Sequence, residues 1–226
     1  GMTFPDSMAN PIRLHAFIYQ TGLVQKLGEK DAFQILFVPR FMSDLVDPTD
    51  GAWQLGAIVL YGHRFSKRFR LRLGAMYTEE KSGPLLVPLV DVNWQISKRW
   101  SLTGLFPIYG KLNYHASDAL TLGISHFGLI TSYELTDLDY AGDYMERTSI
   151  DLTAFARVKL FGNWFMEGRF GYALDRNYEQ YSENDKIDLR VSVAKFGDAR
   201  GEPRNFVFED GPIASLRIVY SLPLPN

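Results

Sequence analysis

The chain has no cysteine among its 226 residues, which excludes a disulfide framework and a thiolate metal site. It has no run of about 18 consecutive apolar residues, the length that a transmembrane helix requires. It has almost no net charge, since 24 Lys and Arg oppose 26 Asp and Glu. This balance gives no reason to expect nucleic acid or an anionic surface as a partner.

The chain also lacks a composition shift or a low-complexity tract that would divide it into several units. We therefore predict a single domain over 12–226 with an N-terminal extension at 1–11, a length that all-β domains commonly reach. The first residues, Gly1 to Pro5, contain no basic segment followed by an apolar core, so no export signal is recognisable.

Aromatic residues and period-two alternation are abundant, and aromatics make up 14% of the chain. Segment 68–78 alternates most clearly, with Phe69, Leu71, Leu73, Ala75 and Tyr77 on one face and Arg68, Arg70, Arg72, Gly74 and Thr78 on the other. This pattern is typical of strands with one apolar and one polar face. It predicts about twelve strands, at 12–20, 32–42, 52–65, 69–79, 85–96, 100–106, 110–116, 119–132, 147–160, 164–176, 187–196 and 213–222.

Two features of these strands favour a barrel in lipid. Most are longer than the ~5–6 residues common in soluble sheets, and they suit the ~9–11 residues that cross a membrane when tilted. Their apolar faces end in aromatic residues, as at the two interfaces of a membrane barrel. We therefore expect an all-β fold: a single closed antiparallel up-and-down β-barrel of about twelve strands, or ten by the alternative count, with its apolar face outward. The alternative is a soluble lipocalin-like ligand-binding barrel.

Three short turns share one design, at Phe65–Phe69, Ile96–Trp100 and Leu160–Trp164. Each places three residues between two apolar ones, a common hairpin connection that keeps the apolar residues on one face. The third turn sets Arg157 directly opposite Glu167 on the polar face. We predict that these two side chains form an ion pair.

The polar face is expected to line a lumen, and its charged residues are the candidate functional residues: Arg64, Arg68, Arg70, Arg72, Asp91, Asp151, Arg157, Glu167, Arg169, Asp188, Arg190 and Arg217. Because buried charges must be paired, one interpretation is a lumen plugged by ion pairs with a structural role. Another is an arginine-lined constriction that passes small anionic solutes. A third is a surface binding module that acts through the connections 133–146 and 197–212. The predicted interfacial aromatics are Trp53, Phe65, Phe69, Tyr77, Trp94, Trp100, Trp164, Tyr172 and Tyr220.

No catalytic or metal-binding pattern is recognisable. The four histidines, His15, His63, His115 and His126, have no metal-ligand spacing. Ser125 and His126 are adjacent, so on a strand their side chains point to opposite faces and cannot act as nucleophile and base. The sequence has no glycine-rich phosphate loop and no Gly-x-Ser-x-Gly motif. We expect no enzymatic activity, no cofactor and no metal.

Segment 85–107 contains a strand with Pro88, the triplet Asn93-Trp94-Gln95, a basic turn that ends at Trp100, and Pro107. With these motifs the chain resembles an uncharacterised family of bacterial outer-membrane β-barrels, a domain of unknown function, most strongly over 52–132. The resemblance implies a barrel fold and a location in the Gram-negative outer membrane. From the barrel and its charge balance we expect lipid or detergent around the barrel and a small solute in the lumen as partners, with no nucleic acid. The resemblance implies no catalytic residue, and the sequence specifies no oligomeric state.

Overall fold

A computed structural model describes residues 13–138, 140–205 and 209–222. Over these residues the chain forms sixteen strands and one short 3-10 turn, Asp50–Ala52. The first eight strands are β1 (His15–Ile18), β2 (Thr21–Lys26), β3 (Asp31–Phe37), β4 (Arg40–Ser43), β5 (Trp53–Gln54), β6 (Gly56–Ser66), β7 (Phe69–Glu80) and β8 (Gly83–Gln95). The other eight are β9 (Trp100–Phe106), β10 (Tyr109–His115), β11 (Leu120–Glu134), β12 (Asp143–Phe161), β13 (Trp164–Ser182), β14 (Ile187–Val191), β15 (Ala194–Asp198) and β16 (Gly211–Tyr220).

The all-β expectation therefore agrees with the structure, and the predicted extension at 1–11 lies outside the described residues. Within the described part of the chain, no helix is long and apolar enough to span a membrane.

One sheet contains all sixteen strands, and its main path runs β2-β3-β6-β7-β8-β9-β10-β11-β12-β13-β16. Neighbours on this path are antiparallel, and the short turns of the sequence join most of them. Two contacts depart from this pattern, because β4 lies parallel to β11 and β14 lies parallel to β8.

The prediction of a closed up-and-down barrel of about twelve strands is wrong. The sheet is open, with β2 and β16 as edge strands that each have one hydrogen-bonded neighbour. The edges are also the most solvent-accessible parts of the sheet, as Leu23 on β2 is 79% exposed and Leu216 on β16 is 72% exposed. The strand count is higher than predicted because predicted strands 32–42, 52–65 and 187–196 each divide into two and because β2 was not predicted.

These divisions have local causes. Predicted strand 32–42 separates into β3 and β4 at Pro39, which has no N–H to donate to a ladder. Predicted strand 187–196 is the hairpin β14–β15, and Ser192 in its turn has a φ of 52°. Conversely, the predicted connection 133–146 is partly strand, since β11 runs to Glu134 and β12 begins at Asp143.

The sheet curls so that its more buried face, here called the inner face, meets itself. An apolar cluster on this face contains Val38, Ile58, Leu60, Leu85, Val87 and Leu89. Ile130 of β11 packs against this cluster, although two strands separate β11 from β8 in the sheet. The backbone N–H of Ser132 on β11 likewise donates to Glu80 on β7 at 2.9 Å. The inner face is therefore a packed interior over part of its area.

At one end, strands β4, β5, β14 and β15 cover the ends of β7, β8, β11, β12 and β13, and we call this region the cap. Ion pairs hold it together, including Arg40 to Glu80 at 2.6 Å and Arg190 to Glu146 at 2.8 Å. Burial raises the pKa of Tyr144 to about 12, so its hydroxyl stays protonated and donates to the Asp185 carbonyl at 2.6 Å. The connections between β12 and β13 and between β8 and β9 lie at the opposite, short-turn end.

Candidate functional site

The inner face carries an ionic cluster centred on Glu167 of β13. Glu167 lies directly opposite Arg157 of β12, which confirms the pairing predicted from the 161–163 turn. Arg157 donates to Glu167 Oε2 from Nη2 at 2.6 Å and from Nε at 2.9 Å. Arg169 donates from Nε to Oε1 at 2.6 Å, and Lys111 Nζ lies 3.4 Å from Oε2. The Glu167 side chain is only 1% exposed, so this carboxylate relies on the three cations instead of water.

The Glu167 cluster holds more positive than negative charge. Three cations share one carboxylate. A fourth, Arg217 of edge strand β16, lies across from Glu167 in the sheet register. Arg217 is exposed and forms no ion pair with the residues that the structure describes. The arrangement therefore suits an added anion, which Arg and Lys side chains bind through charge-assisted hydrogen bonds.

A cavity of about 480 Å³ opens beside the cluster, lined by Lys111, Ser125, Asp151, Thr153, Arg169, Arg217 and their neighbours. On its wall the hydroxyls of Ser125 and Thr153 are 2.7 Å apart. The volume lies within the ~300–1,000 Å³ range of small-molecule sites. A small polar solute fits such a cavity, and the surplus of cations favours an anionic one.

The predicted lumen residues fall into four separate places. Arg157, Glu167, Arg169, Arg217 and Asp151 lie in or beside the Glu167 cluster. Arg72 and Asp91 form a second pair at 2.9 Å on the inner face. Arg190 is buried in the cap, and Asp188 lies exposed beside it. Arg64, Arg68 and Arg70 are exposed at the short-turn end. Period-two alternation assigned these residues to one face of the sheet. It could not show which of them lie at the same level along the strands, and therefore which lie close together.

The sequence analysis missed Lys111, although it lies at an alternate polar position of a correctly predicted strand. It also missed the buried Arg40–Glu80 pair, whose members are 40 residues apart in the sequence. A pair of this separation leaves no local pattern, whereas Arg157 and Glu167 are joined by one short turn.

The opposite, outer face of the sheet is apolar and exposed. Large side chains in mid-strand positions such as Phe170 at 69% exposure and Ile218 at 70% have no cover. The predicted interfacial aromatics form two rows. Phe65, Phe69, Trp94, Trp100, Trp164 and Tyr220 lie at the short-turn end, and Trp53, Tyr77 and Tyr172 lie toward the cap.

The distance between the two aromatic rows is close to the height of the apolar band on a membrane-spanning sheet. Phe69 and Tyr77 are eight residues apart on β7, as are Trp164 and Tyr172 on β13. Eight residues extend roughly 26 Å along a strand, or about 20 Å in height at a typical transmembrane tilt. The apolar band of a membrane-spanning sheet is about 25 Å tall.

Comparison with known protein families, curated proteins and solved structures finds no match to this chain. The resemblance to an outer-membrane family therefore stays a prediction, and the described geometry alone carries the functional interpretation.

Proposed function

We propose that this chain is a protein of the Gram-negative outer membrane, with its outer face against lipid and a polar inner face that holds or passes small anionic solutes. The observation that carries the proposal is the inverted polarity of the sheet. Glu167 and Asp91 are buried on the inner face, whereas Phe170, Ile218 and Leu73 are exposed on the outer face. In water, contiguous apolar surface of this kind is unfavourable and promotes association. In lipid, it is the expected surface of a spanning sheet.

The open edges set a condition on this proposal. Hydrocarbon offers no hydrogen bonds, so each unpaired backbone N–H or C=O there costs several kcal/mol. Strands β2 and β16 carry such groups. We therefore expect both edges to be shielded from the acyl chains when the protein is in the membrane.

Site-specific labelling tests which face meets lipid. The absence of native cysteine makes single-cysteine variants specific. Leu73→Cys reports on the outer face and Ser215→Cys on the inner face, and both positions are exposed, so a spin label disturbs little packing. In vesicles we expect oxygen to relax the label at position 73 more than a water-soluble nickel chelate does, and the reverse at position 215. Equal, chelate-dominated relaxation at both positions, with a monodisperse chain in detergent-free buffer, would favour the soluble alternative.

Planar-bilayer recordings separate solute passage from a purely structural role. Discrete conductance steps with anion selectivity would support passage, and a silent bilayer would support the structural role. Arg217→Gln is the informative variant, because Arg217 has no described ion pair whose loss would destabilise the sheet. We expect it to reduce anion selectivity, whereas Lys186→Gln, which removes an exposed cation of the cap, leaves selectivity unchanged.

A further inference from the structure

The short-turn end of the sheet carries a surplus of exposed positive charge. We call Arg64, Lys67, Arg68, Arg70, Lys98 and Arg99 the basic rim; all six are exposed. None of them has an ion pair with the described residues. Arg64 donates to the Glu29 carbonyl at 2.6 Å, and Arg99 donates to the Tyr114 hydroxyl at 3.2 Å. The net charge of −2 for the whole chain therefore conceals a local positive surface.

Two neighbouring turns present this charge in the same way. In the β6–β7 turn, Ser66 Oγ accepts from the backbone N–H of Arg68 at 3.2 Å. In the β8–β9 turn, Ser97 Oγ accepts from the backbone N–H of Arg99 at 3.2 Å. Because β7 and β8 are adjacent, the two Lys-Arg pairs project side by side beyond the ends of the strands.

The rim also places two like charges at facing positions of neighbouring strands. Arg64 of β6 lies directly opposite Arg70 of β7 in the register. Like charges that face each other across strands destabilise a sheet.

A row of aromatic rings lies immediately inside the rim. Phe65 and Phe69 stack with centroids 5.1 Å apart, Phe69 lies 5.5 Å from Trp94, and Trp100 lies 4.9 Å from Tyr114. Aromatic rings prefer the headgroup level of a bilayer, and cations just beyond that level meet the phosphates of anionic lipids. The order from mid-strand outward is therefore apolar, aromatic and basic, which matches the layers of a bilayer with an anionic surface.

We infer that the basic rim binds the phosphate groups of anionic membrane lipids and thereby fixes the short-turn end at an anionic leaflet. This inference rests on the proposed membrane location. The ligand class is a lipid headgroup with a net negative charge, and the rim residues recognise its phosphate by charge and not by a shaped pocket.

Quenching of tryptophan fluorescence by brominated lipids tests the inference, since Trp94 and Trp100 lie beside the rim. The protein is reconstituted in phosphatidylcholine containing an equal fraction of either brominated phosphatidylglycerol or brominated phosphatidylcholine. We expect stronger quenching by the brominated phosphatidylglycerol, and we expect added salt to remove the difference. Lys67→Gln/Lys98→Gln lowers the preference for the anionic lipid, by up to roughly fivefold for each cation removed.

The control is Lys186→Gln/Lys195→Gln, which removes two exposed lysines from the cap, one of them 3.7 Å from Asp198, and leaves the preference unchanged. Equal quenching by both lipids in the unmodified chain, or the same loss in both double variants, would overturn the rim inference and leave the membrane location standing. Quenching by neither lipid would overturn the membrane location as well.

Discussion

Replacing Glu167 by glutamine keeps the shape of the side chain and removes the carboxylate that three cations share. The cost depends on how much water reaches the cluster. Breaking a buried pair by removing one partner costs about 3–5 kcal/mol, whereas an exposed pair is worth about 0–1 kcal/mol. Glu167 is 1% exposed, but the side chains of Arg157 and Arg169 are 35% and 16% exposed. Because the cations left behind are partly hydrated, we expect Glu167→Gln to cost about 3 kcal/mol, the lower end of the buried range.

Removing the cation of the pair should lower the free energy of unfolding less than removing the carboxylate does. Arg157→Gln leaves Glu167 with Arg169 and Lys111, and the guanidinium that it removes is already a third exposed. We expect this variant to cost about 1 kcal/mol, the upper end for an exposed pair. In a double-mutant cycle the coupling between the two residues then measures the pair itself, free of the other two cations.

The assay is equilibrium unfolding of the reconstituted protein in urea, followed by tryptophan fluorescence. A loss below about 1 kcal/mol for Glu167→Gln would show that water screens the carboxylate, and it would refute the conclusion that Glu167 relies on the three cations instead of water. A cost for Arg157→Gln equal to that for Glu167→Gln would refute the shared-carboxylate geometry.

Two further predictions concern the outer face and the cap. Phe170→Lys places a cation at an exposed apolar position, so in bilayers it should cost about 2–4 kcal/mol if lipid is there. Ser215→Glu places a carboxylate opposite Arg169 on the inner face and should cost about 0–1 kcal/mol or less. Folding titrations in vesicles measure both, and equal costs would contradict the lipid contact. In the cap, hydrogen bonds from Arg200 hold the pKa of Asp198 at about 2, below the ~3.9 of an unfolded chain. The Asp198–Arg200 contact therefore stabilises the cap fully above about pH 4 and is lost as the pH falls toward 2. Asp198→Asn should flatten this part of an acid-unfolding curve, and an unchanged curve would contradict the contact.

The sequence predicted well along the run of hairpins from β7 to β10, but it missed β2 and took the short hairpin β14–β15 for one strand. Strand β7 was expected at 69–79 and runs over Phe69–Glu80, and β9 has the predicted bounds. The 161–163 turn also determined the register of β12 against β13, and this register correctly predicted that Arg157 lies opposite Glu167. In such hairpins, alternation along the strands and the length of the turn are enough to predict which side chains share a face and which lie opposite each other.

Prediction failed where the contacts are distant in sequence or where both faces are covered. The cap ends of β12 and β13 are buried on both sides, so Asp143, Glu146 and Gln180 lie in the interior and period-two alternation disappears. Local periodicity also does not show whether the first and last strands of a sheet pair with each other. The predicted closure of the sheet into a barrel was therefore wrong. Total charge was equally uninformative about the basic rim, because acidic residues elsewhere in the chain balance it.

The two edge strands have a consequence for the chain in water, before the membrane insertion that we propose. An exposed strand edge is a template for any extended segment that meets it, including the edge of a second copy. Pro212 lies near the start of β16 and has no N–H with which another strand could pair. Leu216 and Ile218 follow on the outer face, with no charged residue between them on that face to oppose pairing. Under the proposed membrane location, strand pairing with a second copy in water therefore competes with insertion into lipid. We expect the outcome to depend on protein concentration and on whether a holding chaperone covers β2 and β16 before the proposed insertion.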